Sequence, residues 1–176
     1  ITVQQLPMSA VSLPLVTESE NADDGTEIFR YTFQNISITH PDAEVADKVV
    51  LNFLNRVDST RSTAEDILDA AKVAYKPGSS WTPYQCVIAY EPMRLDLGIL
   101  SMLGSHTTFS GASHPETVYE TVSYDLTTGK TLSIHSIMDF EANGDTLFEF
   151  ILEDLDSNAE KLNLFEGYEE SVEALK

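Results

Sequence analysis

The chain has 176 residues, 42% of them hydrophobic and 22% charged, with a mean hydropathy of -0.13. That length and balance suit one folded domain and exclude an intrinsically disordered chain. Ten Lys and Arg against 29 Asp and Glu leave a formal net charge of -19, which excludes a nucleic-acid backbone as partner, and no apolar run approaches the roughly 20 residues of a membrane span.

In chain order, Val11 to Val16 reads as a first strand and Asp24-Gly25 as a turn, because Asp and Gly tolerate the backbone angles of tight turns. From Glu27 the alternation Phe29, Tyr31, Phe33 predicts a half-buried strand, and the shift of apolar parity to Ile36 and Ile38 predicts a bulge or second face near Asn35. His40-Pro41-Asp42 ends it and opens a helix on which Val45, Val49, Phe53, Leu54 and Val57 recur at helical spacing. Ser59 to Ser62 interrupts that pattern, and Ser62-Thr63-Ala64-Glu65 has the spacing of a capping box before Ile67, Leu68 and Ala71.

After a loop at Pro77-Gly78-Ser79-Ser80, the alternation Tyr84, Cys86, Ile88, Tyr90 predicts a strand. Further strands are expected at Leu97 to Thr108, Thr117 to Leu126 and Thr131 to Ile134, the last two paired as a hairpin through Thr127-Thr128-Gly129-Lys130. The helical pattern returns from Asp145, with Leu147, Phe148, Ile151, Leu152 and Leu155 inward, and a last helix is expected from Tyr168 to Leu175. The predicted fold is α+β: an antiparallel sheet packed with helices, one helical stretch after the first strands and helices at the C-terminus. Residues 1–176 form a single unit on this reading, with a possible subdivision into 1–76 and 77–176.

The single cysteine, Cys86, excludes an intramolecular disulfide, and its apolar neighbours predict a buried, unpaired thiol. The four histidines, at 40, 106, 114 and 135, lack the spacing of a zinc motif, and His106, His114 and Glu116 would converge only if the intervening loop folded back. No metal or cofactor is expected. Nucleophile elbows and Gly-rich phosphate loops are absent from the sequence, so no catalytic residue is assigned. The unusual segment is Ser110-Gly111-Ala112-Ser113-His114-Pro115 between two strands. One reading has glycine supplying a positive φ while His114 ties the loop to itself; the other has the loop contacting a ligand.

Around this loop the residues resemble a known family. Leu100-Ser101, Thr108, Ser110 to Pro115, the run from Val122 to Ile134 containing Asp125-Leu126-Thr127-Thr128-Gly129-Lys130, and Ile137-Met138-Asp139 are similar to the extracytoplasmic domain of unknown function shared by RsiV-like anti-sigma factors and PdaC-like peptidoglycan deacetylases. The N-terminal strand, the His40-Pro41 break and the helix after it resemble the companion domain of that family. Ala112 and Ser113 stand where the family has Gly and Ala, and His135-Ser136 replaces a charged pair.

The resemblance implies a non-enzymatic domain facing the outside of the cell, secreted or membrane-anchored, that binds a cell-wall-related partner. That partner is a basic protein such as lysozyme or a wall glycan, and Ser110, Gly111, Ala112, Ser113, His114 and Pro115 are its expected contacts. The resemblance also implies further C-terminal strands beyond Lys176, and hence an open sheet edge after Ser110. The alternative is a cell-wall hydrolase or deacetylase-associated domain with a site built from scattered carboxylates and histidines.

Overall fold

The computed structural model describes residues 9–96, 98–162 and 167–173. The chain divides into two compact units, Ile1–Thr131 and Leu132–Lys176.

In the first unit, two short strands, β1 (Ala10–Ser12) and β4 (Ser37–Thr39), pair as a separate two-stranded ribbon. The larger sheet runs β2 (Leu15–Asn21), β3 (Glu27–Gln34), β5 (Tyr84–Leu95), β6 (Ile99–Phe109), β7 (Glu116–Asp125) and β8 (Lys130–Leu132), in that spatial order. The expected first strand is therefore split between β1 and β2. The parity change near Asn35 marks the switch from β3 in one sheet to β4 in the other.

One pairing departs from the expected antiparallel sheet: β3 and β5 are parallel, with Phe29 opposite Tyr84 and Tyr31 opposite Cys86. The cause is the connection, because α1 (Ala43–Ser59) and α2 (Arg61–Ala74) lie between the two strands and return the chain to the end where β3 began. Alternation along a strand reports which face is buried, and it is silent on the direction of the neighbour.

Helix α1 starts at Ala43, two residues after the proline, so Pro41 precedes the cap and does not stand in the first turn; the Asp42 carboxylate accepts from the backbone N–H of Glu44 at 2.9 Å and of Val45 at 3.4 Å. Val45, Val49, Phe53 and Val57 lie one turn apart and are all buried. Leu54, expected inward with them, is 38% exposed, since one residue of helix turns it about 100° from Phe53. The Ser62 to Glu65 box caps nothing. Helix α2 already begins at Arg61, and its cap residue Thr60 makes no side-chain cap bond; Ser62 to Glu65 is the helix's first turn.

The core lies between these helices and one face of the sheet. Ala64, Ile67 and Ala71 of α2 join the α1 stripe over Phe29, Tyr31, Cys86, Ile88, Tyr90, Leu100, Met102, Val122 and Tyr124. Cys86 is 3% exposed and free, and burial pushes its thiol up to about 11. Odd-numbered positions of β6 and β7 make the other face half-exposed and hydroxyl-rich, with Ser101 bonded to Ser123 at 2.8 Å and Thr107 to Thr117 at 2.9 Å. An apolar face and a polar face on alternate residues is the usual economy of an antiparallel sheet.

The expected hairpin forms: β7 and β8 are neighbours in the sheet, joined by a turn in which the Gly129 N–H donates to the Asp125 carbonyl at 2.8 Å. The Asp125 carboxylate accepts from the Thr127 backbone and both threonine hydroxyls, which holds it below the usual carboxylate range. Strand β8 is only Lys130–Leu132, shorter than expected, because α3 (Ile134–Ile137) follows at once with a Ser133–Ser136 capping box. Among the described residues, the side chains from Glu116 to Tyr119 at the start of β7 are exposed, with Val118 68% and Tyr119 67% accessible.

The second unit is helical: α3, α4 (Phe140–Leu162) and α5 (Tyr168–Glu173). Helix α4 begins five residues before the expected start at Asp145, and Phe148 on it is buried. The Tyr168 hydroxyl donates to Asp156, linking α5 to α4. Leu97, expected to open a strand, and Ala174 and Leu175, expected in the last helix, lie outside the described residues. No helix among the described residues is long and apolar enough to cross a membrane.

Candidate functional site

The segment from Ser110 to Pro115 joins β6 to β7, and all six residues are exposed. Gly111 has φ +87, a backbone conformation that L side chains rarely adopt, and a Cβ there would lie 2.5 Å from the Tyr84 hydroxyl oxygen. The glycine is therefore required twice over, by its angle and by the ring beneath it. Tyr84 stacks on Trp81 at 4.9 Å and meets Phe109 edge-on at 6.0 Å, while Trp81 meets Tyr75 at 5.4 Å. This aromatic floor fixes the base of the loop.

His114 Nδ1 lies 3.1 Å from the Pro115 carbonyl. A carbonyl only accepts, so Nδ1 carries the proton and Nε2 is left as an acceptor on the neutral ring. Both readings of the segment are thus compatible with the structure: glycine supplies the positive φ and His114 ties the loop, and the same ties hold an exposed loop in one shape. His106, in contrast, sits within β6, and no group of three or more metal-ligating side chains occurs among the described residues.

A second constellation, which the sequence did not single out, lies on the helix side of the sheet. Across three strands the register aligns Tyr90, Gly104 and Glu120, and the next row aligns Ile88, His106 and Val118. Because Gly104 has no side chain, the Tyr90 ring lies over it and its hydroxyl donates to Glu120 Oε1. A Cβ at Gly104 would stand 2.6 Å from Tyr90 Cε1 and 3.0 Å from Glu120 Cγ. His106 Nε2 reaches the same carboxylate oxygen at 2.9 Å, and Arg56 Nη1, from α1, donates to Oε2 at 2.5 Å.

Burial acts to raise the Glu120 carboxyl, but the Tyr90 bond, the Arg56 charge and the His106 bond together hold it below its ordinary value. Burial first, and then the bond to Glu120, push the Tyr90 phenol far up, so it remains a donor. Tyr124 is 1% exposed; its hydroxyl makes no hydrogen bond of ordinary geometry, and burial raises it although the Arg56 guanidinium nearby acts to lower it.

Chemically, the carboxylate has three donors from three elements and a neutralising cation. It ties α1 to β6 and β7 and orients His106. Those three bonds take up three of the roughly four lone-pair sites of the carboxylate, each to a partly buried group. The signal that marked this site in sequence was Gly104 followed by His106 on the inward parity of an otherwise apolar strand, a break in alternation that calls for a close approach.

No family model and no curated protein matches the chain. Among solved structures it is similar to a member of the DUF3298 family from Bacteroides fragilis, with 14% identity over 84% of this chain and 69% of that one and a TM-score of 0.60. It is also similar to a DUF3298 family protein from Pseudomonas aeruginosa, with 15% identity over 89% of this chain and 72% of that one and a TM-score of 0.47. The Bacteroides likeness shows a shared fold, that of a domain of unknown function, and a fold by itself does not assign an activity.

Proposed function

We propose that this chain is an extracytoplasmic recognition domain for a cell-wall-related partner, a basic protein of the lysozyme kind, and that it performs no chemistry of its own. The observation that carries the reading is the loop from Ser110 to Pro115, exposed throughout yet held from below by Tyr84 under Gly111 and from within by the His114 bond. A loop ordered before it meets its partner avoids the entropy cost of ordering on binding. A net charge of -19 supplies long-range attraction for a basic partner. The resemblance of the same loop and hairpin to lysozyme-sensing ectodomains names the class of partner.

The alternative, a hydrolytic site of carboxylates and histidines, would fall to Glu120 and His106. Their geometry favours the binding reading, because the Glu120 carboxylate is engaged by Arg56, Tyr90 and His106 and held below its ordinary value, which makes it a weaker base.

The test is retention on the immobilised chain. Lysozyme should be held at physiological salt while an unrelated protein of similar basicity washes through. Loss of both at the same salt concentration would contradict specific recognition, and turnover of peptidoglycan fragments by the chain would contradict a purely binding role.

A further inference from the structure

The two edges of the large sheet are built differently. On one side β2 carries Glu18 and Glu20 and ends in an irregularity at Glu20–Asn21, features that discourage a further strand from pairing. On the other side, among the described residues, β7 is flanked only by the short β8, which lies beside its C-terminal end across the turn from Asp125 to Lys130. From Glu116 to Val122, β7 keeps an unbroken register with β6 and contains no Pro, Lys or bulge. The backbone N–H and C=O groups of this stretch that point away from β6 have no hydrogen-bond partner among the described residues. Thr117, Val118, Tyr119, Thr121 and Val122 are β-branched or aromatic, the residue types that pair best in sheets.

We infer that β7 of one protomer pairs antiparallel with β7 of a second copy of this chain, joining two sheets across a two-fold axis that passes by Tyr119. Such an axis, perpendicular to the sheet, sets residues of equal parity opposite each other. Centred on Val118, the pairing would set Glu116 opposite the partner's Glu120; centred on Glu120, it would set the two Glu120 side chains opposite each other. Like charges directly opposite are destabilising.

Centring on Tyr119 avoids both clashes and uses the whole free stretch. The two tyrosine rings then face each other, Thr117 meets the partner's Thr121, Glu116 meets the partner's Val122, and Val118 meets the stem of the partner's Glu120. That carboxylate is already engaged by Arg56, Tyr90 and His106 of its own chain. On a chain of net charge -19 this register brings no carboxylates face to face, and it covers Val118 and Tyr119, which are 68% and 67% exposed. The choice of a second copy as occupant rests on this self-complementarity and is independent of what the loop after β6 binds.

The experiment is sedimentation equilibrium of the 176-residue chain over a concentration series, at low and at high salt. The mass should rise from 19.5 kDa toward twice that value, and the dimer should tighten several-fold at high salt, which screens the repulsion between two acidic chains. Tyr119→Glu, a change at an exposed position that sets two carboxylates opposite each other, should weaken the dimer by about tenfold or more while the circular dichroism spectrum is unchanged. Mild oxidation should link Tyr119→Cys chains by a disulfide, because directly opposite Cα atoms lie about 4.5–5.5 Å apart, within disulfide reach. It should leave Thr121→Cys chains unlinked, since the register separates the two copies of that position by roughly 14 Å along the strand. The native Cys86 is buried and does not interfere. A chain that stays monomeric at every concentration and salt, a dimer indifferent to Tyr119→Glu, or cross-linking of Thr121→Cys as readily as Tyr119→Cys would overturn the inference. Slow hydrogen exchange of the free-edge amides between 116 and 122 in a monomeric chain would place a strand of the same chain on this edge and overturn it equally.

Discussion

Phe53→Ala should destabilise the first unit by about 3–5 kcal/mol, the range for removing a fully buried aromatic ring from a core. Phe53 has no exposed surface, sits in the middle of the α1 stripe, and meets the Tyr90 ring edge-on at 4.9 Å. Its neighbours Val49 and Ile88 are likewise fully buried, so little can move in to fill the space. Domain stabilities run to only about 5–15 kcal/mol, so the variant should lose a large part of the total. Urea unfolding followed by the fluorescence of the single tryptophan, Trp81, reads this unit directly. A change under about 1 kcal/mol would mean that α1 does not seal this face of the sheet.

Glu120→Gln should cost about 2–3 kcal/mol at neutral pH. Losing the charge of a buried ion pair costs about 3–5 kcal/mol, and the figure here is reduced because the Arg56 and Glu120 side chains are 33% and 27% exposed. The pH dependence gives the sharper signature. The folded-state pKa of Glu120 lies below its ordinary value near 4.5, so the carboxylate's stabilisation is fully present above that value and is lost as pH falls through the folded pKa. Parent and variant should therefore differ most near neutrality and converge in acid. Parallel stability profiles from neutral pH down to acid would show that the Arg56, Tyr90 and His106 contacts add nothing to the charged form.

Much of this fold was legible in the sequence, and the limits have physical causes. The α1 stripe, the alternation from Tyr84 to Tyr90 and the turn at Thr127 to Lys130 each follow from local periodicity or turn chemistry, which the sequence states directly. The parallel β3–β5 pair and the separate β1–β4 ribbon depend on partners distant along the chain, and no local pattern encodes them. The capping box at Ser62 failed because Thr60 and Arg61 continue almost directly from α1, so α2 starts within the first turn that the motif was expected to open.

The loop at Ser110 was recognisable because its composition is unusual. Tyr84 beneath Gly111 was not, since Tyr84 opens β5 and Gly111 lies in the loop after β6, far apart along the chain. For the Glu120 site the sequence offered only Gly104 and His106 as a break in pattern. Glu120 is one of 29 acidic residues, and only the register that puts it beside Gly104 distinguishes it.

The measurement that bears most directly on the recognition role is calorimetric titration with lysozyme and with a comparably basic, unrelated protein, for the parent and for His114→Ala, across a salt series. Charge steering acts mainly on association and fades as the Debye length falls from about 10 Å at 0.1 M to about 3 Å at 1 M salt. If specificity resides in the loop that Tyr84 supports, lysozyme affinity should weaken with salt yet stay well above that of the unrelated protein, and His114→Ala should remove most of the difference. Equal weak binding of both proteins, indifferent to His114→Ala and abolished by modest salt, would contradict it.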